Sequence, residues 1–308
     1  MKRIIQYLIL LLVANTTFAQ QDPQYSLYMF NTLGVNPAYA GSRDALSFGL
    51  VHRNQWIGMP GAPVTNALFA HMPLKNNKMG VGLEITNDNI GPKSQNYFNV
   101  DYAYKIKAGK GKLAFGIRAG VIAFIYDWNK IEYKNEQDGF LQYAYTSNFT
   151  VPNFDFGMYY NTTTFYAGLA FAHLNKASYD VLTQQLSDSV SSRMYRHSTF
   201  TIGKAFVLNN KWTLRPSMLL RAVEGGIANI DLNISAMYNQ KIWAGISLRS
   251  TEDVVLTLEF VPNKKIRIGY SYDYNTGKLR TYTGGTHEIF LGYDLQFKNV
   301  KMTSPRYF

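Results

Sequence analysis

Residues that could do chemistry are few in this chain, and they are scattered. There are five histidines, His52, His71, His173, His197 and His287, and no cysteine. A zinc hydrolase of the H-E-x-x-H kind needs two histidines one helical turn apart around a glutamate, and no pair here has that spacing. A serine hydrolase of the α/β type raises its nucleophile on a G-x-S-x-G elbow, which is missing. The chain also lacks a phosphate-cradling P-loop and an EF-hand loop; GKGKL (109–113) reads as a turn. His173 keeps two readings, the partner of a serine on a neighbouring strand or a rim histidine held by hydrogen bonds. No catalytic residue, cofactor or metal ligand is assigned, and the expectation is a protein that is not an enzyme.

The charged residues show more order. Glu84, Asp101, Lys105, Arg118, Asp155, Arg215, Arg221, Asp231, Arg249, Glu259, Arg267, Asp273, Glu288 and Asp294 fall on the polar phase of alternating segments. Glu84, Asp101, Arg118, Asp155, Arg215, Arg249, Glu259, Asp273 and Glu288 are the candidate members of one lumen network. Both signs are present. That favours an ion-paired filling that stiffens an interior, with a selective channel as the alternative, since channels more often bias one sign.

These side chains need elements with a period of two. KKIRIGYSYDYN (264–275) shows the pattern: Ile266, Ile268, Tyr270, Tyr272 and Tyr274 share one face, and Lys265, Arg267, Gly269, Ser271 and Asp273 the other. About 14 such strands lie near 44–56, 64–73, 78–87, 94–106, 112–126, 154–160, 164–173, 197–207, 212–222, 230–239, 241–250, 253–261, 265–275 and 285–298. Most run about ten residues, enough to cross a bilayer when tilted. Their connections alternate. Short turns lie at 75–77, 108–111, 161–163, 209–211, 239–240 and 262–265. Longer loops lie at 57–63, 88–93, 127–153, 174–196, 223–229 and 276–284, and the 251–252 connection breaks the trend. Short periplasmic turns and larger outer loops are the habit of outer-membrane barrels. The predicted fold is therefore all-β, an antiparallel transmembrane barrel with an N-terminal plug or periplasmic segment, and an even strand number predicts both termini in the periplasm.

Composition agrees. Residues 1–19, MKRIIQYLILLLVANTTFA, read as an export signal with a basic start, an apolar core and a small-residue cleavage site. Residues 20–43 form the N-terminal segment, 44–298 the barrel and 299–308 a periplasmic tail. Apolar residues make up 46% of the chain, but alternation spreads them and leaves no later run long enough for a spanning helix. The 23 tyrosines suit a membrane–water boundary. The net charge of +11 is dispersed over turns and loops, which fits anionic lipid rather than nucleic acid. Glycines such as Gly49, Gly80, Gly116 and Gly157 interrupt strands and mark bends or close packing.

Residues 20–41, QQDPQYSLYMFNTLGVNPAYAG, are too aromatic to float free; they plug the lumen or pack against a periplasmic partner. Here the chain resembles the PorP/SprF family of outer-membrane barrels linked to type IX secretion and gliding motility. DPQYSLYMFN and NPAYAGS resemble the family's start. RNQWIGMPGAPVT (53–65) is similar to its R-x-Q-W-x-G…G-A-P-x-T signature, carried by Arg53, Gln55, Trp56, Gly58, Gly61, Ala62, Pro63 and Thr65. Asn87, Asp88, Gly91 and Pro92 resemble its N-D-x-x-G-P turn. Pro152 to Gly157, His173-Leu174, SYDY (271–274), THEI (286–289) and Pro305 to Phe308 complete a match that runs nearly end to end.

The resemblance implies a non-enzymatic accessory of type IX secretion. It would engage secreted or surface-anchored proteins, such as adhesins, through a C-terminal domain for export or retention. It implies contact with the translocon, with outer-membrane lipid and with a periplasmic peptidoglycan-binding component. Arg53, Gln55, Trp56, Gly58, Gly61, Pro63, Asn87 and Asp88 are its candidate partner-contact or loop-shaping residues. The alternative function is an outer-membrane channel for small or hydrophobic solutes, with the N-terminal segment as hatch.

Overall fold

The computed structural model describes residues 22–74, 77–131, 146–180, 185–186 and 192–296. The export signal, the tail 299–308 and most of the 127–153 loop lie outside the described residues. Among the described residues, eighteen strands follow one short α-helix, α1 (Thr32–Val35): β1 (Ala45–Asn54), β2 (Val64–Pro73), β3 (Met79–Ile90), β4 (Lys93–Ala108), β5 (Gly111–Asp127), β6 (Thr146–Asn161), β7 (Phe165–Ala172), β8 (Ser178–Asp180), β9 (Gln185–Leu186), β10 (Ser192–Arg193), β11 (His197–Lys204), β12 (Phe206–Val207), β13 (Trp212–Val223), β14 (Asn229–Tyr238), β15 (Ile242–Arg249), β16 (Asp253–Phe260), β17 (Ile266–Asn275) and β18 (Thr286–Gln296). Each barrel strand pairs antiparallel with its neighbours. β1 pairs with β18 and β11 with β13, so the sheet closes on itself with 14 staves and the short β12 as an extra strand. Closure removes the free edges that a lipid environment would leave unsatisfied.

The barrel is apolar outside and polar inside. Leu83 and Ile117, on the outer wall, are each 57% exposed, whereas Asp101 and Glu288, on the inner wall, are 0% exposed. That inversion of the soluble pattern is what a lipid solvent selects. Strict alternation fixes the register, because a slip of one residue would turn every charge toward lipid.

Two predicted loops are strand instead. The 88–93 loop is a two-residue turn at Gly91 and Pro92, since β3 runs to Ile90 and β4 begins at Lys93. Within the 127–153 loop, β6 begins at Thr146 and pairs with the end of β5. Polar residues such as Asp88, Asn89, Asn148 and Asn153 read as loop, yet they continue the alternation above the bilayer, where no apolar outer face is required. β4, β5 and β6 have 16, 17 and 16 residues, against 8 for β15 and β16. At about 3.3 Å per residue the tall staves are roughly 26–30 Å longer, measured along the strand, than the short ones. They form a hood at the long-loop end. The small sheet β10-β8-β9, inside the predicted 174–196 loop, packs against it through Tyr179.

Candidate functional site

Residues 22–41 lie inside the barrel and run from its long-loop end to its short-turn end. Asp22 sits beside His173 and His197, at the outer ends of β7 and β11. Gly41 sits beside His71 and Lys105, at the opposite end. The first described residue, Asp22, is therefore at the outer mouth, and residues 22–41 add one crossing of the lumen to those of the strands.

Local chemistry shapes the plug. Asn31 precedes α1 and accepts from the Gly34 N–H at 3.2 Å, a cap for a helix of one turn. Asn36 caps the next turn, Pro37–Tyr39, by accepting from the Ala38 N–H at 3.0 Å. Its amide nitrogen donates to the carbonyls of Met158 and Leu169, tying that turn to the wall. The wall makes room. A side chain at Gly80, Gly116 or Gly157 would overlap the backbone of Ala40, the backbone of Ala38 or the side chain of Asn36. The plug fills the remaining space with Tyr25, Leu27, Tyr28, Phe30, Leu33 and Tyr39. Phe30 packs on Phe290 and Tyr39 meets Tyr159 edge-on, with ring centres 5.6 and 5.4 Å apart.

Three clusters hold most of the inward charges among the described residues. In the first, Arg53 is 1% exposed and donates to Glu288 at 2.7 Å, to Asp273 at 2.8 Å and to the Ser26 hydroxyl at 2.8 Å. Glu288 also accepts the Ser26 and Leu27 backbone N–H groups at 2.8 and 3.0 Å. The Ser26 hydroxyl donates to Asp273, and Arg249 joins from Asp231, reaching Asp273 and Ser26 at 3.3 and 3.1 Å. In the second, Arg118 meets Asp101 at 2.7 Å, Glu84 at 2.9 Å and Asp155 at 3.6 Å, and donates to the Leu33 carbonyl at 2.8 Å. In the third, Asp294 faces Arg43 at 3.0 Å and Arg267 at 3.7 Å. Barrel register sets several of these pairs, since Arg53 lies opposite Glu288, Arg118 opposite Asp101 and Asp155, and Asp231 opposite Arg249.

The predicted lumen residues thus all face inward. Glu84, Asp101, Arg118 and Asp155 meet in one cluster, and Arg249, Asp273 and Glu288 in another. Arg215 lies over the Trp243 ring at 4.4 Å and, with buried Glu259, lines a cavity of about 20 Å³. The predicted contact residues divide. Arg53 is a lumen residue and touches the plug. Asp88 is buried and accepts from Thr65 at 2.5 Å, and Asn87 donates to Asn96 at 2.8 Å. Gln55, Trp56, Gly58, Gly61 and Pro63 belong to the β1–β2 loop. That loop is tied to the β17–β18 connection by the Ile57 N–H to the Gly285 carbonyl at 2.9 Å, and to the start of β18 by the Trp56 N–H to the Thr286 hydroxyl at 3.2 Å. Gly58 and Gly61 adopt positive φ of 93° and 72°, so they shape the loop.

Reasoning from sequence missed Ser26, Asp22, Arg43 and the pairing of His173 with His197. At the mouth, His173 Nε2 lies 2.9 Å from an Asp22 carboxylate oxygen, and its Nδ1 2.7 Å from Asn153 Oδ1. Burial pushes the Asp22 carboxyl up, but the charges of His173 and His197 outweigh it and hold the group well below the usual carboxylate range. Burial likewise pushes the His173 imidazole down, and Asp22 outweighs it, so its pKa is raised.

Among the described residues, cavities against the plug measure about 10 to 110 Å³. The two smallest have room for about one water and the two largest for a few. A larger cleft of about 640 Å³ opens at the short-turn end, where Lys78, Lys105, Lys107, Lys110 and Lys112 line it.

The family model described as type IX secretion system membrane protein PorP/SprF matches residues 17–293. No curated protein matches the chain in sequence. Among solved structures, the barrel is similar to the Ralstonia pickettii toluene transporter TbuX, at 10% identity and a TM-score of 0.51, over 86% of this chain and 93% of that one. It is also similar to the Acinetobacter baumannii outer membrane protein Omp33, at 7% identity and a TM-score of 0.46, over 82% and 99% of the two chains. At such identities the likeness concerns the fold alone.

Proposed function

Since the chain belongs to the PorP/SprF family of type IX secretion system membrane proteins, we propose that it is a plugged, non-enzymatic outer-membrane accessory of that system. It engages secreted or surface-anchored proteins, adhesins among them, through a C-terminal domain, and passes or retains them at the cell surface. The observation that carries the reading is the plug. A lumen filled by residues 22–41 and three ion-paired clusters supports a scaffold more than a conduit. The work then falls to the surfaces at either end. The hood, the β1–β2 loop and the connections 132–145 and 174–196 are the outer contact candidates. The lysine-lined cleft at the short-turn end offers an anionic or peptidoglycan-bound periplasmic component a place to dock. His173, on which a hydrolase reading would rest, has its ring nitrogens facing Asn153 and Asp22.

The test is the surface proteome of cells with and without the gene, by protease shaving and mass spectrometry. Loss of one or a few large secreted proteins, with the general secreted set intact, is the expected result. Loss of the whole set would make the protein core machinery, and no change would overturn the secretion reading. Deleting 132–145 should then abolish partner display while the barrel still inserts. The channel alternative draws on transporters such as TbuX; solute uptake or conductance in reconstituted vesicles by the unaltered protein would revive it.

A further inference from the structure

The mouth of the lumen holds a constellation that the secretion reading does not use. Asp22, His173 and His197 come from three distant parts of the chain, and one ligand atom from each lies within 4.8 Å of the others. We propose that these three side chains form a site for a divalent transition ion of the zinc kind, which clamps the start of the plug to the outer mouth of the barrel.

The donor geometry fits such an ion. His173 Nε2 is 3.0 and 2.9 Å from the two Asp22 oxygens, and His197 Nδ1 is 3.4 Å from one of them. Ligand atoms about 2.0–2.1 Å from a shared ion sit roughly 3.0 Å apart at an octahedral corner and roughly 3.4 Å apart in a tetrahedron. The present spacings span that range. Imidazole nitrogen with one carboxylate suits zinc and its neighbours, whereas calcium and magnesium prefer oxygen alone. Two imidazoles and one carboxylate also leave coordination positions open, and Asp22, one-third exposed, supplies the route of entry.

Two further observations point to a ligand. His197 has both ring nitrogens buried without a hydrogen-bond partner, a costly state that coordination would relieve. His173 is poised as metal-bound histidines are. With its Nδ1–H donating to Asn153 Oδ1 at 2.7 Å, the Nε2 lone pair is directed at the site. Its backbone is held at φ +56°, a conformation unusual for a non-glycine residue, by its N–H donating to Asp155 Oδ1 at 3.0 Å. The strain turns the ring inward at the end of β7, where a relaxed strand would not place it. A proton shared between His173 and Asp22 is the competing arrangement, and it leaves His197 unsatisfied.

The test uses the full mature chain folded in detergent, with migration of the unheated protein on gels reporting barrel integrity. Titration with Co²⁺, followed by its visible d–d bands, and with Zn²⁺, followed by calorimetry, should give one ion per chain. Asp22→Asn and His197→Gln should each weaken binding at least tenfold while the barrel stays folded. Asn153→Ala, which releases the His173 ring, should weaken it about 10- to 100-fold. Absence of stoichiometric binding in the unaltered protein would overturn the proposal. So would unchanged binding in an Asp22→Asn, His197→Gln double variant, which would place the ion elsewhere. If a single variant fails to fold, X-ray absorption at the zinc edge of the unaltered protein decides. Imidazole scattering supports the site, and an all-oxygen shell rejects it.

Discussion

In the lumen, Arg53 and Arg118 each face two or more carboxylates and also reach the plug. In the hood above, Phe124, Phe149 and Tyr179 face one another, with ring centres 4.7 to 5.1 Å apart. The first region is closed by directed, charged bonds, the second by packed aromatic rings. Buried charges tolerate little rearrangement, because each carboxylate deprived of its cation keeps the cost of leaving water. Neutral ring pairs tolerate sliding better, since they carry no buried charge and have more than one favourable arrangement, offset-stacked or edge-on. The comparison assigns rigidity to the lumen and adaptability to the hood, as a barrel that presents a changeable surface on a fixed support would require.

The sharpest way to break that contrast is to remove a hub. Arg53→Ala leaves Glu288 with only two backbone N–H donors and Asp273 with Arg249 and Ser26. The expected loss is about 3–5 kcal/mol, as for other broken buried pairs, read as a lower urea midpoint of the barrel in detergent. A loss under about 1 kcal/mol would show that water already reaches the cluster and that the lumen is not sealed. Gly157→Leu attacks the same region without touching a charge. Its side chain would overlap Asn36 and drive the plug from the wall, so conductance in planar bilayers should rise from a silent baseline. Silence in both proteins would mean that the plug yields without opening a path.

Phe149→Ala carries the comparison into the hood. The residue is half-buried, so the expected cost is about 2 kcal/mol, below the ~3–5 of a fully buried phenylalanine. The loss should be local. Amide exchange at 178–180 and in the upper part of β6 should speed up, while the urea midpoint of the barrel holds. A fall in the midpoint as large as that of Arg53→Ala would mean that hood and lumen unfold as one unit.

The stave count was legible because a barrel in lipid imposes period two on every strand, as in 264–275, and the same alternation placed Arg118 and Asp155 inside. Long-range partners were not legible. Ser26 is an ordinary serine between two apolar residues, and its role depends on Glu288 and Asp273, which lie some 250 positions away in the chain. Nor does any local signal give the direction in which residues 22–41 thread; that follows from the glycine-lined seat at Gly80, Gly116 and Gly157, which three separate strands contribute. The upper ends of β3 and β6 were lost to their asparagines, which read as loop where strands rise clear of the bilayer.

Trp128→Phe is the smallest and most discriminating change. Trp128 stacks on Tyr126 at 5.5 Å, and its indole N–H donates to the buried Ser147 hydroxyl at 3.1 Å. Phenylalanine keeps the stack and loses the hydrogen bond, so the expected cost is about 1 kcal/mol, the net worth of one neutral bond. A conservative swap in the lumen has no such margin: Arg53→Lys cannot reach Glu288, Asp273 and Ser26 with one ammonium in the same geometry. It should therefore cost several times more. If the two swaps prove equal, Ser147 belongs to a polar network as demanding as that of Arg53. The hood would then be a second rigid body, and the surface offered to a partner would have to be sought in the connections 132–145 and 174–196 instead.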